Sequence, residues 1–175
     1  MSLSVAILAA GQGTRMRSAL PKVLHPLGGL PLLQHVIHAA RQLEPASIHV
    51  VYGHGGEQVP ATLGCDDVIW VEQAVQLGTG HAVEQAMPEI DDNSTLLVLY
   101  GDVPLLRDAT MAELVRSGES GFGLLTVHVS DPTGYGRIVR DQHGAVERIV
   151  EEKDASEHER TITEVNSGIM CTSAR

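Results

Sequence analysis

The first residues that could do chemistry are two glycines with two cations close behind them. Gly11 and Gly13 follow a short apolar run from Val5 to Ala10, and Arg15 and Lys22 come next, Lys22 directly after Pro21. Glycine lets bare backbone N–H groups approach a ligand that a side chain would hold off. Such a loop at the end of a buried strand, with fixed positive charge beside it, offers a place for phosphate. The spacing matches neither common glycine fingerprint. A Walker loop needs GxxxxGK[ST], which is absent, and a dinucleotide loop needs a third glycine where Met16 stands. The competing reading is an ordinary strand-to-helix turn; Arg15, Pro21 and Lys22 weigh against it.

Asp102 offers a second chemistry. It stands just past the apolar run Leu96-Leu97-Val98-Leu99, where open α/β sheets bind ligands. One carboxylate plus substrate phosphates is a common way to hold magnesium. The plainer role for Asp102 is an Asx turn. Between these two places lies a segment with two amides, Gln73 and Gln76, followed by Gly78, Thr79 and Gly80. Gln73 can donate and accept together, which suits a pyrimidine edge; Thr79 would serve equally as a helix cap. His35 and His38 fall three apart on a helix, but no third metal ligand is near them. Glu151, within the charged run of residues 151–154, reads as solvated surface.

The elements that must position these groups follow from periodicity. Continuous apolar runs predict buried strands at Val5–Ala10 and Ser94–Tyr100, and further strands are predicted at Ser47–Tyr52 and Asp67–Val71. A further strand is predicted over Phe122–Val129, a hairpin over 137–150 turning at 141–144, and a last strand over Thr163–Cys171 that contains Asn166. Residues 23–30 read as loop. Pro31 suits a first helical position, and Leu32, Leu33, Val36, Ile37, Ala40 and Leu43 recur at helical spacing; a short helix is expected over Asp108–Val115. Strands alternating with helices predict an α/β fold, a Rossmann-like, mostly parallel sheet with helices on both faces. At 175 residues one domain is the natural expectation. The formal charge of −10 excludes the basic footprint of a general nucleic-acid or membrane-surface binder. The chain has only two lysines, Lys22 and Lys153, so its cations must be concentrated locally. Cys65 and Cys171 lack metal-ligand spacing and read as reduced thiols of a cytoplasmic protein. No apolar run reaches membrane-spanning length.

Several blocks together carry a family resemblance. LAAGQGTRM (8–16) with Pro21-Lys22 resembles the sugar nucleotidyltransferases of nucleotide-diphospho-sugar transferase fold. VYGHGG (51–56), QLGTGHA (76–82), LYGDVPL (99–105), DPTGYGRI (131–138) and EVNSGI (164–169) follow in order. The set is similar to the uridylyltransferase half of the bifunctional bacterial uridylyltransferase–acetyltransferases. That resemblance implies uridylyl transfer from UTP to N-acetylglucosamine 1-phosphate, giving UDP-N-acetylglucosamine for peptidoglycan and lipopolysaccharide, and pyrophosphate. It implies that Leu8, Ala9, Ala10 and Gly11 line the nucleotide and that Arg15 and Lys22 hold its phosphates. Gln73, Gly78 and Thr79 would contact uracil. Tyr100, Gly101 and Asp102 would border nucleotide and sugar, with Asp102 on Mg2+. Gly136, Glu151 and Asn166 would contact the sugar, which revises the surface reading of Glu151.

In that family the domain continues past the matched stretch with another asparagine at the metal. A left-handed β-helix then carries the acetyltransferase activity and the trimer contacts. The expectation for residues 1–175 alone is therefore a partial nucleotidyltransferase domain, with weakened uridylyl transfer, no acetyl transfer and no family-type trimer. Two other readings remain: a cytidylyltransferase of isoprenoid synthesis, which shares the first block only, and a non-catalytic nucleotide-sugar-binding domain, which would not need Arg15, Lys22 and Asp102.

Overall fold

The apolar run at the start of the chain forms β1 (Leu3–Ala9), buried from Ser4 onward. A strand that is apolar on both faces must be covered on both, and β1 lies between parallel neighbours: β4 (Ser47–Gly53) on one side and β6 (Thr95–Tyr100) on the other. β5 (Ile69–Gln73) adds to β4, also parallel. This computed structural model describes residues 2–11, 16, 18–53, 56–119 and 121–175. The chain forms two compact units, one of Met1–Gly123 with Met170–Arg175 and one of Leu124–Ile169.

In the first unit the sheet is covered as expected. Ala6, Leu8, Val51, Leu96 and Val98 share one apolar cluster with Ala82 and Ala86 of α3 (Thr79–Ala86). Residues alternate across a strand, so Val5, Ile7, Ala9, Leu97 and Leu99 face the other way. There α1 (Leu32–Arg41) reaches the sheet, with Leu33 and Ala9 both against Gly101. α4 (Asp108–Gly118) lies on that same face, its Gly118 against Cys171 of β10 (Glu164–Ser173). Residues 170–173 of β10 pair antiparallel with β6, so the parallel part of the sheet is four strands wide.

Several boundaries depart from expectation. Residues 23–30 are not simple loop: a 3-10 turn spans Lys22–Leu24, and β2 (Pro26–Leu27) pairs with β3 (Leu30–Pro31) around Gly28 and Gly29, both with positive φ. Pro31 is therefore a strand residue that caps α1 rather than its first helical residue. β5 runs two residues later than the apolar pattern suggested and ends on Gln73. α2 (Gln58–Leu63) was not anticipated.

The second unit is antiparallel where its register is defined. β8 (Arg137–Arg140) pairs with β9 (Val146–Val150) and, at Arg137, with Val165 of β10. The predicted hairpin turn forms because Asp141 Oδ1 accepts from both His143 and Ala145 N–H, at 2.8 and 2.9 Å. β7 (Phe122–His128) pairs with β10. A one-turn helix, α5 (Glu157–Arg160), also unanticipated, starts with a capping box between Ser156 and Glu159. Among the described residues, no helix is long and apolar enough to cross a membrane.

Candidate functional site

The carboxyl ends of β1, β5 and β6 open on a cleft of about 400 Å³ in the first unit. Ten residues named from the sequence line it: Leu8, Ala9, Ala10, Gly11, Lys22, Gln73, Gly78, Thr79, Tyr100 and Asp102. Among the described residues a Cβ on Gly11 would meet nothing within 4 Å, so none of them blocks a close approach to the backbone there. Gly101 stands behind the wall: a Cβ would meet Leu33, Ala9 and Val23 at 3.1–3.3 Å, and its N–H is bonded to Leu8 O. Gly13 and Arg15, with the middle of the glycine loop, lie outside the described residues, as do His54 and Gly55.

Lys22 and Asp102 meet in this cleft. The Lys22 ammonium donates to Asp102 Oδ2 at 2.5 Å, bridging 80 positions of sequence. The turn after β6 is closed by the backbone, Val103 N–H to Tyr100 O at 3.2 Å. The carboxylate of Asp102 is instead engaged by Lys22 in the cleft, and Pro104, two residues on, has no N–H for it to accept from, so the Asx-turn role does not apply. Asp102 is a hard oxygen donor, partly exposed, beside a place suited to phosphate, which fits a divalent cation. Among the described residues no three His, Cys, Asp or Glu gather as a cage. A cation here would complete its shell with phosphate and water, as magnesium commonly does. His35 and His38 are engaged elsewhere, His35 Nε2 with Leu27 O at 2.7 Å and His38 with Gln34 at 3.4 Å.

Gln73 is 2% exposed at the end of β5. Its side-chain Nε2 lies 3.1 Å from Gly78 O and 2.9 Å from His81 Nδ1. Gly78 takes φ +106°, which a glycine tolerates, and serves as N-cap of α3 with no side-chain cap bond. Thr79 is the first helical residue, not the cap. The first N–H groups of α3 have no partner within the helix, so the helix presents donors next to Gln73. Sequence reasoning missed the work of Gln76. Its Nε2 donates to Ala10 O at 2.7 Å and ties the loop of residues 74–78 to the end of β1. Gly53 makes room: a Cβ there would sit 2.2 Å from that amide and 2.8 Å from Ala10 O. Only the amide's presence in the segment hinted at this.

In the second unit Gly136, Glu151 and Asn166 come together. Asn166 N–H donates to Gly136 O at 2.8 Å, and a Cβ on Gly136 would lie 3.2 Å from Glu151 Oε1. Arg137, 1% exposed, holds this corner. Its guanidinium donates to Tyr135 O and, at 2.6 Å, to Glu152 Oε2, which also accepts from Gly134 N–H at 3.2 Å. The Arg137 bond holds the Glu152 carboxyl below its usual range, helped by Gly134. A bond from Thr133 does the same to Asp131.

The comparisons agree with this architecture. The family model for the MobA-like NTP transferase domain matches residues 5–161. The chain is 58% identical to the bifunctional protein GlmU of Alcanivorax borkumensis over 176 aligned residues, 100% of this chain and 39% of that protein. It is 59% identical to GlmU of Burkholderia orbicola, over 97% of this chain and 38% of that one. The chain thus spans under two-fifths of the length of these relatives. Among solved structures, a candidate glucose-1-phosphate thymidylyltransferase from Bacillus anthracis, in complex with sucrose, superposes with a TM-score of 0.81 at 21% identity. The match covers 99% of this chain and 72% of that one. HddC from Yersinia pseudotuberculosis, complexed with GMP-PN, gives 0.75 at 24%, covering 99% and 77%. At such identities the two structures speak to fold alone.

Proposed function

This chain belongs to the MobA-like NTP transferase family and is a nucleotidyltransferase domain, and from that premise we propose that it transfers the uridylyl group of UTP to N-acetylglucosamine 1-phosphate. A phosphate oxygen of the sugar phosphate forms a bond to the α-phosphorus, the bond to the β-phosphate breaks, and pyrophosphate leaves. The family resemblance of the sequence blocks implies this substrate pair, and the 58–59% identity to GlmU relatives supports that resemblance.

The observation that carries the reading is the edge the cleft offers. Gln73 has its nitrogen engaged and its oxygen left to accept, next to the donors at the start of α3. Uracil presents the complement, an acceptor at O4 beside a donor at N3; cytosine presents the reverse. This disfavours the cytidylyl alternative. The nucleophile is already an anion, so no strong base is needed; the obstacle is repulsion between two polyanions. Lys22 and the backbone N–H groups at Gly11 offset it, with Arg15 assigned the same role. Asp102 would hold magnesium, which when bound neutralises phosphate charge and favours departure of pyrophosphate. Gly136, Glu151 and Asn166 would receive the sugar hydroxyls.

The test is pyrophosphate release with Mg2+, N-acetylglucosamine 1-phosphate and either UTP or CTP. Turnover with UTP well above CTP is the expected result. Equal turnover defeats the base assignment. Nucleotide binding without turnover in the full-length protein favours the non-catalytic reading.

A further inference from the structure

The reading of Gln73 as the base-contacting residue leaves open what keeps its amide from turning over. A free glutamine amide presents either end with little preference. Gly78 O can only accept, so the Gln73 atom 3.1 Å from it is the nitrogen. That same nitrogen lies 2.9 Å from His81 Nδ1. Nδ1 must therefore be the bare, accepting nitrogen, and the ring proton sits on Nε2. Nε2 lies 3.3 Å from Gln85 Nε2, one helical turn on; that amide, turned over, presents its oxygen to the His81 Nε2 proton. Both N–H groups of Gln73 are then used, and its oxygen has no partner among the described residues. His81 does not line the cleft itself.

We propose that His81 is a positioning residue for base selection: as the Nε2–H tautomer it locks the Gln73 amide so that only an acceptor faces the base. The inference rests on the uridylyl reading for its consequence and on geometry for the lock. Gly78 O sets which end of the amide is the nitrogen, and the second bond, to His81 Nδ1, holds it there against turning.

The test has two arms on the full-length protein. In the first, UTP and CTP are titrated calorimetrically and turned over by wild type, His81→Phe and His81→Asn. Phe keeps the bulk and removes the acceptor; Asn carries an oxygen near the Nδ1 position. The UTP-over-CTP preference is expected to fall by roughly tenfold in His81→Phe, the worth of one hydrogen-bond distinction. Most of it should return in His81→Asn. Full preference retained in His81→Phe overturns the proposal. A wild type with no preference overturns the base assignment instead, not the lock. The second arm decides the lock without any substitution, whether or not the variants fold. Nitrogen-15 correlation spectra of the wild-type histidines should show His81 as Nε2–H; an Nδ1–H tautomer overturns it.

Discussion

Lys22 and Asp102 neutralise each other at 2.5 Å while their side chains stay 41% and 28% exposed. An ion pair so open to water is worth only about 0–1 kcal/mol. It therefore sets almost no barrier against exchange: a phosphate can take the ammonium and a cation the carboxylate. The pair keeps two opposite charges ready in the cleft of an acidic chain. Loss of one charge-stabilising donor costs about 10²–10³-fold in turnover, so Lys22→Ala should lower the proposed uridylyl transfer by that order. His38→Ala should leave it unchanged, since His38 is exposed, meets Gln34 and does not line the cleft. Steady-state kinetics on the two variants side by side check this, and equal effects would remove Lys22 from the phosphates. Asp102→Asn should move the magnesium titration to higher concentration; an unmoved curve would remove the carboxylate from the metal.

At the level of elements, the sequence announced what is long and periodic. β1 and β6 carry continuous apolar runs, β4 is mostly apolar around His49, and α1 repeats its buried residues at helical spacing, so their places were legible. α2, α5 and the β2–β3 pair were not, because elements of six, four and two residues hold too little periodicity. Gln73, Lys22 and Asp102 were legible as types beside strand ends. The tie from Gln76 to Ala10 was not, since it spans 66 positions and no local pattern encodes it. Nor was the reason for Gly118, the last residue of α4, whose carbonyl accepts from Gly121 N–H at 2.9 Å. Its reason is space: a Cβ would lie 2.6 Å from Cys171 Sγ and 2.8 Å from its Cβ. Gly118→Ala should gain up to about 1 kcal/mol of helix propensity. It should lose about 1–3 kcal/mol to overpacking between α4 and the sheet. A net loss in urea unfolding is expected, and a raised midpoint would contradict this packing. Burial also pushes the Cys171 thiol up to about 11, so it should resist thiol reagents until the protein unfolds.

Across the molecule the two units respond to acid through different groups. In the first, His49 is fully buried, its Nδ1 without a partner and its Nε2 2.9 Å from Ser47 Oγ. Burial holds His49 below its ordinary 6.5, against a smaller opposing pull from Glu89. Above pH 6.5 neither the folded nor the unfolded chain protonates it. Below 6.5 the unfolded chain takes a proton that the folded one resists, so stability falls as pH falls. In the second unit Arg140 bonds Glu164 at 2.6 and 2.8 Å and holds its carboxyl at about 2, from an ordinary 4.5. That contribution is full above pH 4.5 and is lost between 4.5 and about 2. The formal charge of −10 works the other way, since protonating other carboxylates relieves self-repulsion. Substitution separates these opposing effects. Urea unfolding of His49→Leu should lose the part of the wild-type decline that begins below pH 6.5. It should be no less stable at pH 5 than at pH 7, because the imidazole that titrates between them is gone. Glu164→Gln should keep that first decline and show a shallower one below pH 4.5, the remainder coming from the other carboxyls held low, among them Glu152 and Asp131. If both variants track the wild type across the whole range, the acid response comes from general charge and not from these two buried groups.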